Sequence, residues 1–83
     1  MQTKIKICGI STVATAKASA EAGANYLGIV FEPNSRRLVE LEKAKQLISS
    51  FRASWSMKEP MWVGVFANQT TEEVNHVLLS LIH

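Results

Sequence analysis

The 83-residue chain contains a single cysteine, so it cannot form an internal disulfide bond. It has no apolar run of the ~18 residues that a membrane-spanning helix needs, and its N-terminus lacks the apolar core of a signal peptide. We therefore expect no membrane partner and a reducing compartment, the cytoplasm. The formal charge is only +2, with acidic and basic residues interspersed, so we expect no nucleic-acid partner either.

Three short segments have the character of β-strands, beginning near residues 4, 26 and 61. "KIKIC" alternates apolar and polar residues, as a strand with one buried face does. "YLGIVF" and "MWVGVF" are continuous apolar runs rich in β-branched and aromatic residues, which is typical of strands covered on both faces. Each of the three segments is followed by a sequence that favours a helix.

The first helix is predicted over "TVATAKASAEA", with Ser11 as its N-cap and Gly23 as the left-handed residue that ends it. The second and third helices each carry an apolar stripe at three- and four-residue steps. The stripes comprise Leu41, Ala44, Leu47, Ile48 and Phe51, and then Val74, Val77, Leu78, Leu81 and Ile82. Thr70 and Glu73 have capping-box spacing, and "RASWSMKEP" is interpreted as the connection before the third strand.

The resulting plan is an α/β domain, β-α-β-α-β-α, in which alternation of the elements predicts parallel strands. Its three βα units span residues 4–23, 26–52 and 61–83, and we expect residues 1–83 to form a single domain.

Side chains two residues apart on a strand point to the same face, so Lys6 and Cys8 share one face of the sheet. Ile5 and Ile7 occupy the other face, which we expect the helices to cover. Beside Cys8 we place residues from the other two strands, namely Gly28, Val30, Trp62, Gly64 and Phe66. Large apolar side chains on an uncovered face predict self-association or a second covering layer.

The motifs "KICGI", "EAGANYLGIVFEPNSRR" and "VGVFAN", in this order along the chain, resemble the phosphoribosylanthranilate isomerase family. The resemblance implies a partial TIM (βα)8 barrel, three of whose units are present. It also implies an Amadori rearrangement in tryptophan biosynthesis, with phosphoribosylanthranilate as the small-molecule substrate and neither cofactor nor metal. Glu40 stands where the family often has a helix-capping serine, and Leu41 where it often has proline.

Cys8 matches the family's general base, which removes the proton from ribose C2, and Arg37 of "NSRR" matches the arginine that holds the anthranilate carboxylate. A free thiol is only a few per cent ionised at neutral pH, so a nearby cation such as Lys6 would support this role. From the residues alone, a lone cysteine at a strand end is more often a small buried hydrophobe. Arg36 is assigned to solvent, and Asn68 to a turn at the same surface.

A complete barrel of this kind needs at least ~200 residues. The resemblance places the general-acid aspartate and the phosphate-binding loops in later strands, so we expect a truncated N-terminal portion that is inactive alone. Two alternatives stay open. A second chain can complete the barrel, or the chain is a non-catalytic, self-associating module that retains relic motifs. Activity of the chain alone would direct the search for an acid to Glu32, Glu72 and Glu73.

Overall fold

The computed structural model describes residues 3–81, which form a three-stranded parallel sheet and three helices. Along the chain these are β1 (Lys6–Cys8), α1 (Val13–Glu21), β2 (Tyr26–Val30), α2 (Leu41–Ser54), β3 (Met61–Val65) and α3 (Thr71–Leu81). The strand order is β1-β2-β3, and both pairs are parallel. The predicted alternation of parallel strands and helices is therefore confirmed. Ile82 and His83, assigned to the third unit from the sequence, lie outside the described residues.

Both ends of α1 are held by local hydrogen bonds. Thr12, rather than Ser11, is the N-cap, because the helix begins at Val13 and only the Thr12 hydroxyl reaches the Thr15 amide, at 3.1 Å. At the other end Gly23 adopts a φ of +101°, and its amide donates to the Ala20 carbonyl. The next amide donates to the Ser19 carbonyl, which completes a Schellman motif and confirms the predicted role of Gly23.

The core lies between α2 and the helix-facing side of β2. The stripe predicted on α2 is buried at Ala44, Leu47, Ile48 and Phe51. It packs in one cluster with Leu27 and Ile29 of β2. The helix runs on to Ser54, so the first three residues of "RASWSMKEP" belong to α2 and only the rest forms the connection.

The register of β3 contradicts the predicted placement of its aromatic residues. Leu27 pairs with Trp62 and Ile29 with Gly64, and paired residues of parallel strands point to the same face. Trp62, Gly64 and Phe66 therefore share the helix-facing side, not the side of Cys8. The rings confirm this, since Trp62 meets Phe51 edge-on at 5.4 Å between centroids. Phe66 likewise stacks on Phe31 at 5.4 Å.

The face that carries Cys8 is consequently less apolar than the sequence suggested. Cys8 aligns with Gly28 and Val63, and Val30 aligns with Val65. Val30 does lie on this face as predicted, but it is only 7% exposed. Its carbonyl accepts a hydrogen bond from Val39, because the loop after β2 folds back along the strand.

Helix cover is incomplete at both edges of the sheet. Ile5 and Ile7 are 44% and 37% exposed, since α1 packs against β2 and α2 rather than over β1. At the other edge the predicted capping box is present, with the Glu73 amide donating to the Thr70 hydroxyl at 3.1 Å. None of the α3 residues is buried, and Leu78 is 41% exposed. A cavity of about 610 Å³ lies between α2, β3 and α3.

Across residues 3–81, no helix combines the length and apolar character required to cross a membrane.

Candidate active site

Cys8 lies at the carboxyl end of β1 with its side chain exposed, so it is not the buried hydrophobe that a lone cysteine usually is. Its neighbour on β2 is Gly28. A Cβ atom on Gly28 would lie 3.2 Å from the Cys8 Sγ and 3.3 Å from its Cα. The absence of a side chain on Gly28 therefore leaves open the space beside the thiol.

The backbone turns directly after Cys8 and is fastened to β2. The amides of Gly9 and Ile10 both donate to the Gly28 carbonyl, at 3.0 and 2.9 Å. Gly9 has a φ of +84°, in the left-handed region that side chains disfavour. This turn fixes the end of β1, where the thiol emerges.

Arg37 lies over this turn. Its Cδ and one terminal guanidinium nitrogen are 2.7 and 3.0 Å from the position that a Cβ on Gly9 would occupy. Only glycine at this position lets the arginine side chain lie flat against the backbone. The contact brings Arg37 beside the residue that follows Cys8, although the two are distant in sequence. The two residues singled out from the sequence are thus brought to the same end of the sheet.

The loop that carries Arg37 is shaped by its own side chains. The Ser35 hydroxyl accepts a hydrogen bond from the Arg37 amide at 3.1 Å, and the Glu32 carboxylate accepts one from the Asn34 amide at 3.0 Å. Arg36, assigned to solvent from the sequence, has an exposed side chain. The loop is therefore a folded turn that presents Arg37, not an open connection.

The Lys6 side chain extends over the same glycine as the thiol. Its Cε is 3.4 Å from the same point above Gly28 that lies 3.2 Å from the Cys8 Sγ. The predicted sharing of a face by Lys6 and Cys8 is therefore present in the structure, and both side chains extend over one glycine. With Arg37 at the turn that follows Cys8, two cationic side chains lie at this end of the sheet.

Gln69, which was not singled out from the sequence, connects the ends of β2 and β3. Gln69 donates from its side-chain amide to the Phe31 carbonyl at 2.9 Å, and its side-chain oxygen accepts from the Ala67 amide. A glutamine in a polar loop carries no periodic signal, so nothing in the sequence distinguishes it. Asn68, read as a turn residue, has a φ of +59°, which asparagine tolerates better than most residues.

Two of the three glutamates named as acids for a chain that is active alone already accept hydrogen bonds. Glu32 holds its own loop, and the Glu73 carboxylate accepts from the Thr70 hydroxyl at 3.1 Å. Glu72 lies exposed in the first turn of α3. Among residues 3–81, no three His, Cys, Asp or Glu side chains are grouped so as to hold a metal ion.

Parallel βα units that carry a thiol and an arginine at the carboxyl ends of their strands fit a class, the (βα)8 barrels, whose active sites lie at that end. The family model for N-(5'-phosphoribosyl)anthranilate isomerase matches residues 5–82. The chain belongs to the phosphoribosylanthranilate isomerase family, and its fold is a partial (βα)8 barrel. The resemblance noted from the sequence motifs is thereby confirmed.

Individual relatives agree with this assignment. The N-(5'-phosphoribosyl)anthranilate isomerase of Dehalococcoides mccartyi is 45% identical over 74 residues, covering 89% of this chain and 32% of the relative. The crystal structure of mutually generated monomers of the dimeric Thermotoga maritima isomerase superposes with a TM-score of 0.84 at 32% identity. That match covers 98% of this chain and 38% of the Thermotoga chain.

A further solved structure of a phosphoribosylanthranilate isomerase contains a ligand. The phosphoribosylanthranilate isomerase in complex with reduced 1-(o-carboxyphenylamino)-1-deoxyribulose 5-phosphate has a TM-score of 0.82 at 31% identity, covering 98% of this chain and 39% of that one. The chain thus spans about a third of the length of the relatives it matches.

Proposed function

We propose that this chain supplies the first three units of a phosphoribosylanthranilate isomerase, with Cys8 as the general base and Arg37 as the group that binds the substrate carboxylate. The observation that carries the proposal is the contact of Arg37 with Gly9, the residue after Cys8. It assembles two groups of the family's chemistry at one end of the sheet within these residues alone.

In the proposed reaction the Cys8 thiolate takes the proton from ribose C2 of the ring-opened substrate. The electron pair of the broken C–H bond forms a C1–C2 double bond, and the π pair of the C1–N iminium bond moves to nitrogen. The resulting enolamine becomes the ketone of the 1-deoxyribulose product when C1 takes up a proton and the C2 hydroxyl loses one. The proton from C2 passes to sulfur and no external oxidant or reductant takes part, so Cys8 needs only exposure and a cationic setting.

Arg37 is proposed to bind the anthranilate carboxylate through two parallel hydrogen bonds from its planar guanidinium. The ligand of the solved relative carries such a carboxyphenyl group on a deoxyribulose phosphate. In this ligand one phenyl ring and one amine separate the carboxylate from the sugar. The arginine that binds the carboxylate and the base that acts on the sugar must therefore lie close together. The placement of Arg37 over the turn after Cys8 supports this division of roles.

We also propose that residues 1–83 form one domain with βα units at residues 4–23, 26–52 and 61–83. The compartment that we propose is a reducing one, the cytoplasm. The ring-opening acid and the phosphate site are proposed to come from the remaining units of the barrel, supplied by further or separate polypeptide. The acid and the phosphate site together contribute a large part of the rate enhancement, since general acid catalysis alone is worth about 10²–10⁴-fold.

Turnover of phosphoribosylanthranilate tests the proposal. Residues 1–81 would replace the corresponding third of the Dehalococcoides mccartyi relative, giving a chain with all the units of the barrel. We expect the 83-residue chain alone to show no turnover above background and the chimera to be active. Cys8→Ser should lower kcat of the chimera by at least about 10²-fold, because a serine hydroxyl forms no comparable anion at neutral pH.

Arg36→Ala and Arg37→Ala are a matched pair in the same chimera, since each removes one exposed guanidinium from the same loop. Arg37→Ala should lower kcat/KM, and Arg36→Ala should leave kcat/KM near the value of the unsubstituted chimera. An active chimera that keeps its rate in Cys8→Ser would remove Cys8 from the mechanism. A Cys8-dependent turnover by the 83-residue chain would show that an acid is already present.

A further inference from the structure

We propose that Gly28 is a positioning residue of the candidate active site, because it makes room for the Lys6 side chain to lie against Cys8. The inference deepens the proposed function, since it assigns to β2 the task of placing a positive charge beside the base. Gly28 itself contacts no reacting group in this account and acts only through Lys6 and Cys8.

The geometry above Gly28 carries the inference. The position of a missing Cβ is 3.2 Å from the Cys8 Sγ, 3.3 Å from the Cys8 Cα and 3.4 Å from the Lys6 Cε. The separations from the Cys8 Sγ and Cα are shorter than an ordinary methyl contact, and the separation from the Lys6 Cε is at the lower limit of one. The Cys8 Cα is part of a hydrogen-bonded strand and cannot withdraw freely, whereas the lysine arm can. An added methyl group would therefore crowd Cys8 most and would leave the lysine arm, which is free to move, less room beside it.

Gly28 needs this explanation because its backbone conformation does not require glycine. Gly9 and Gly23 have positive φ angles, but Gly28 lies in the middle of a regular strand. Glycine in a strand interior is unfavourable by roughly 0.5–1 kcal/mol relative to alanine, and it often marks a close approach. Here the close approach is that of one cationic and one nucleophilic side chain, both exposed to solvent.

The charge that Cys8 experiences can be measured by alkylating it with iodoacetate, an anion, and with iodoacetamide, its neutral counterpart. Both reagents react with the same thiolate, so the ratio of their rate constants cancels changes in ionisation and accessibility. Cys8 is the only cysteine, so mass spectrometry of the intact chain reports it without ambiguity. Other groups on the surrounding elements are Arg37 at the turn and Tyr26, which aligns with Lys6 on β2.

At about 10 mM salt we expect Lys6→Gln to lower the iodoacetate-to-iodoacetamide ratio about threefold, the effect of one charge roughly 6 Å away in water. Gly28→Ala should lower the ratio by a similar factor. In the Gly28→Ala background, Lys6→Gln should then change the ratio little further, because the Lys6 ammonium group has already moved away from the thiolate. Lys4→Gln removes an equal charge roughly 13 Å along the chain, and on the same Coulomb estimate it should change the ratio by less than about twofold.

Independent effects of Gly28→Ala and Lys6→Gln on the ratio would overturn the inference, as would an unchanged ratio in Gly28→Ala. If Gly28→Ala does not fold, nuclear Overhauser contacts in the unsubstituted chain decide instead. Contacts between the Lys6 ε-protons and the Gly28 α-protons are expected, and their absence would contradict the inference. Neither readout involves turnover, so a failure of the proposed isomerase reaction leaves this result standing, and the converse also holds.

Discussion

At the scale of single residues, Glu59 connects α2 to the start of β3. Both oxygens of its carboxylate share the Arg52 Nε–H, each at 2.9 Å, and one of them also accepts from the Trp62 indole at 2.7 Å. Its side chain is 29% exposed, so the ion pair with Arg52 is only partly screened by water. Phe51 packs against the same indole, and Glu59 therefore orients an aromatic ring of the core.

We expect Glu59→Ala to destabilise the fold by about 1–2 kcal/mol, because the half-buried Trp62 indole N–H loses its acceptor. Urea unfolding followed by tryptophan fluorescence would measure the change. Glu42→Ala is the matched control, since that carboxylate is 81% exposed and lies 3.8 Å from the Lys45 Nζ. It should change the stability by less than about 0.5 kcal/mol. Equal losses in the two variants would mean that Glu59 forms only a surface ion pair.

Only part of the candidate site could be predicted from the sequence. Cys8 and Lys6 lie on one face as predicted, because "KIKIC" alternates and its period fixes the faces. The contact of Arg37 with Gly9 and that of Lys6 with Gly28 join residues more than twenty positions apart. No local pattern encodes such contacts, so the sequence indicated the residues but not their arrangement.

At the scale of elements, periodicity predicted the apolar face of α2 correctly, but it did not predict the exposure of Ile5 and Ile7 or the lack of buried residues in α3. The apolar stripe of α2 and the left-handed Gly23 were both predicted correctly. β3 was assigned to the right segment but with its faces exchanged. "MWVGVF" is apolar at nearly every position, so it contains no alternation that could distinguish the two faces. The register is set instead by pairing with β2, where the Asn25 carbonyl accepts from the Met61 amide.

The entry to α2 differs from that of α3 in how its first turn is held. Glu40 is the N-cap residue, and its side chain makes no capping hydrogen bond. The helix is therefore held by its buried face and not by its first turn. By contrast, α3 has the capping bond of Thr70 but no buried residue. Helix capping and helix packing are thus satisfied in different elements of this chain.

At the scale of the whole molecule, the two edge strands leave surface that a closed barrel would cover. Within the described residues, β1 and β3 each pair only with β2, so each has one row of unpaired backbone groups. Met61 on β3 and Leu79 on α3 are 66% and 57% exposed. The surface that favours association therefore lies at the edges and along α3, and not on the face of Cys8.

We expect the isolated chain to self-associate at tens of micromolar, through pairing of these edges, and sedimentation velocity would measure it. Met61→Lys should shift the chain toward monomer, because a lysine on an edge strand opposes pairing. Met57→Lys is the matched control, since Met57 is 64% exposed in the connection before β3. A sharp monomer with a cooperative thermal transition in the unsubstituted chain would rule this prediction out.

Three βα units suffice to bring Arg37 to the turn that follows Cys8, and anthranilate binding tests this claim most directly. Titration of the 83-residue chain, followed by amide chemical shifts, should move resonances around Cys8, Gly9 and Arg37. We expect millimolar affinity at best, since one bidentate pair in an open site repays little of the entropy of fixing the ligand.

Arg37→Ala should abolish these shifts, and Arg36→Ala, which removes the neighbouring guanidinium, should preserve them. Equal shifts in the unsubstituted chain and in Arg37→Ala would contradict the claim, because the carboxylate would then be recognised elsewhere.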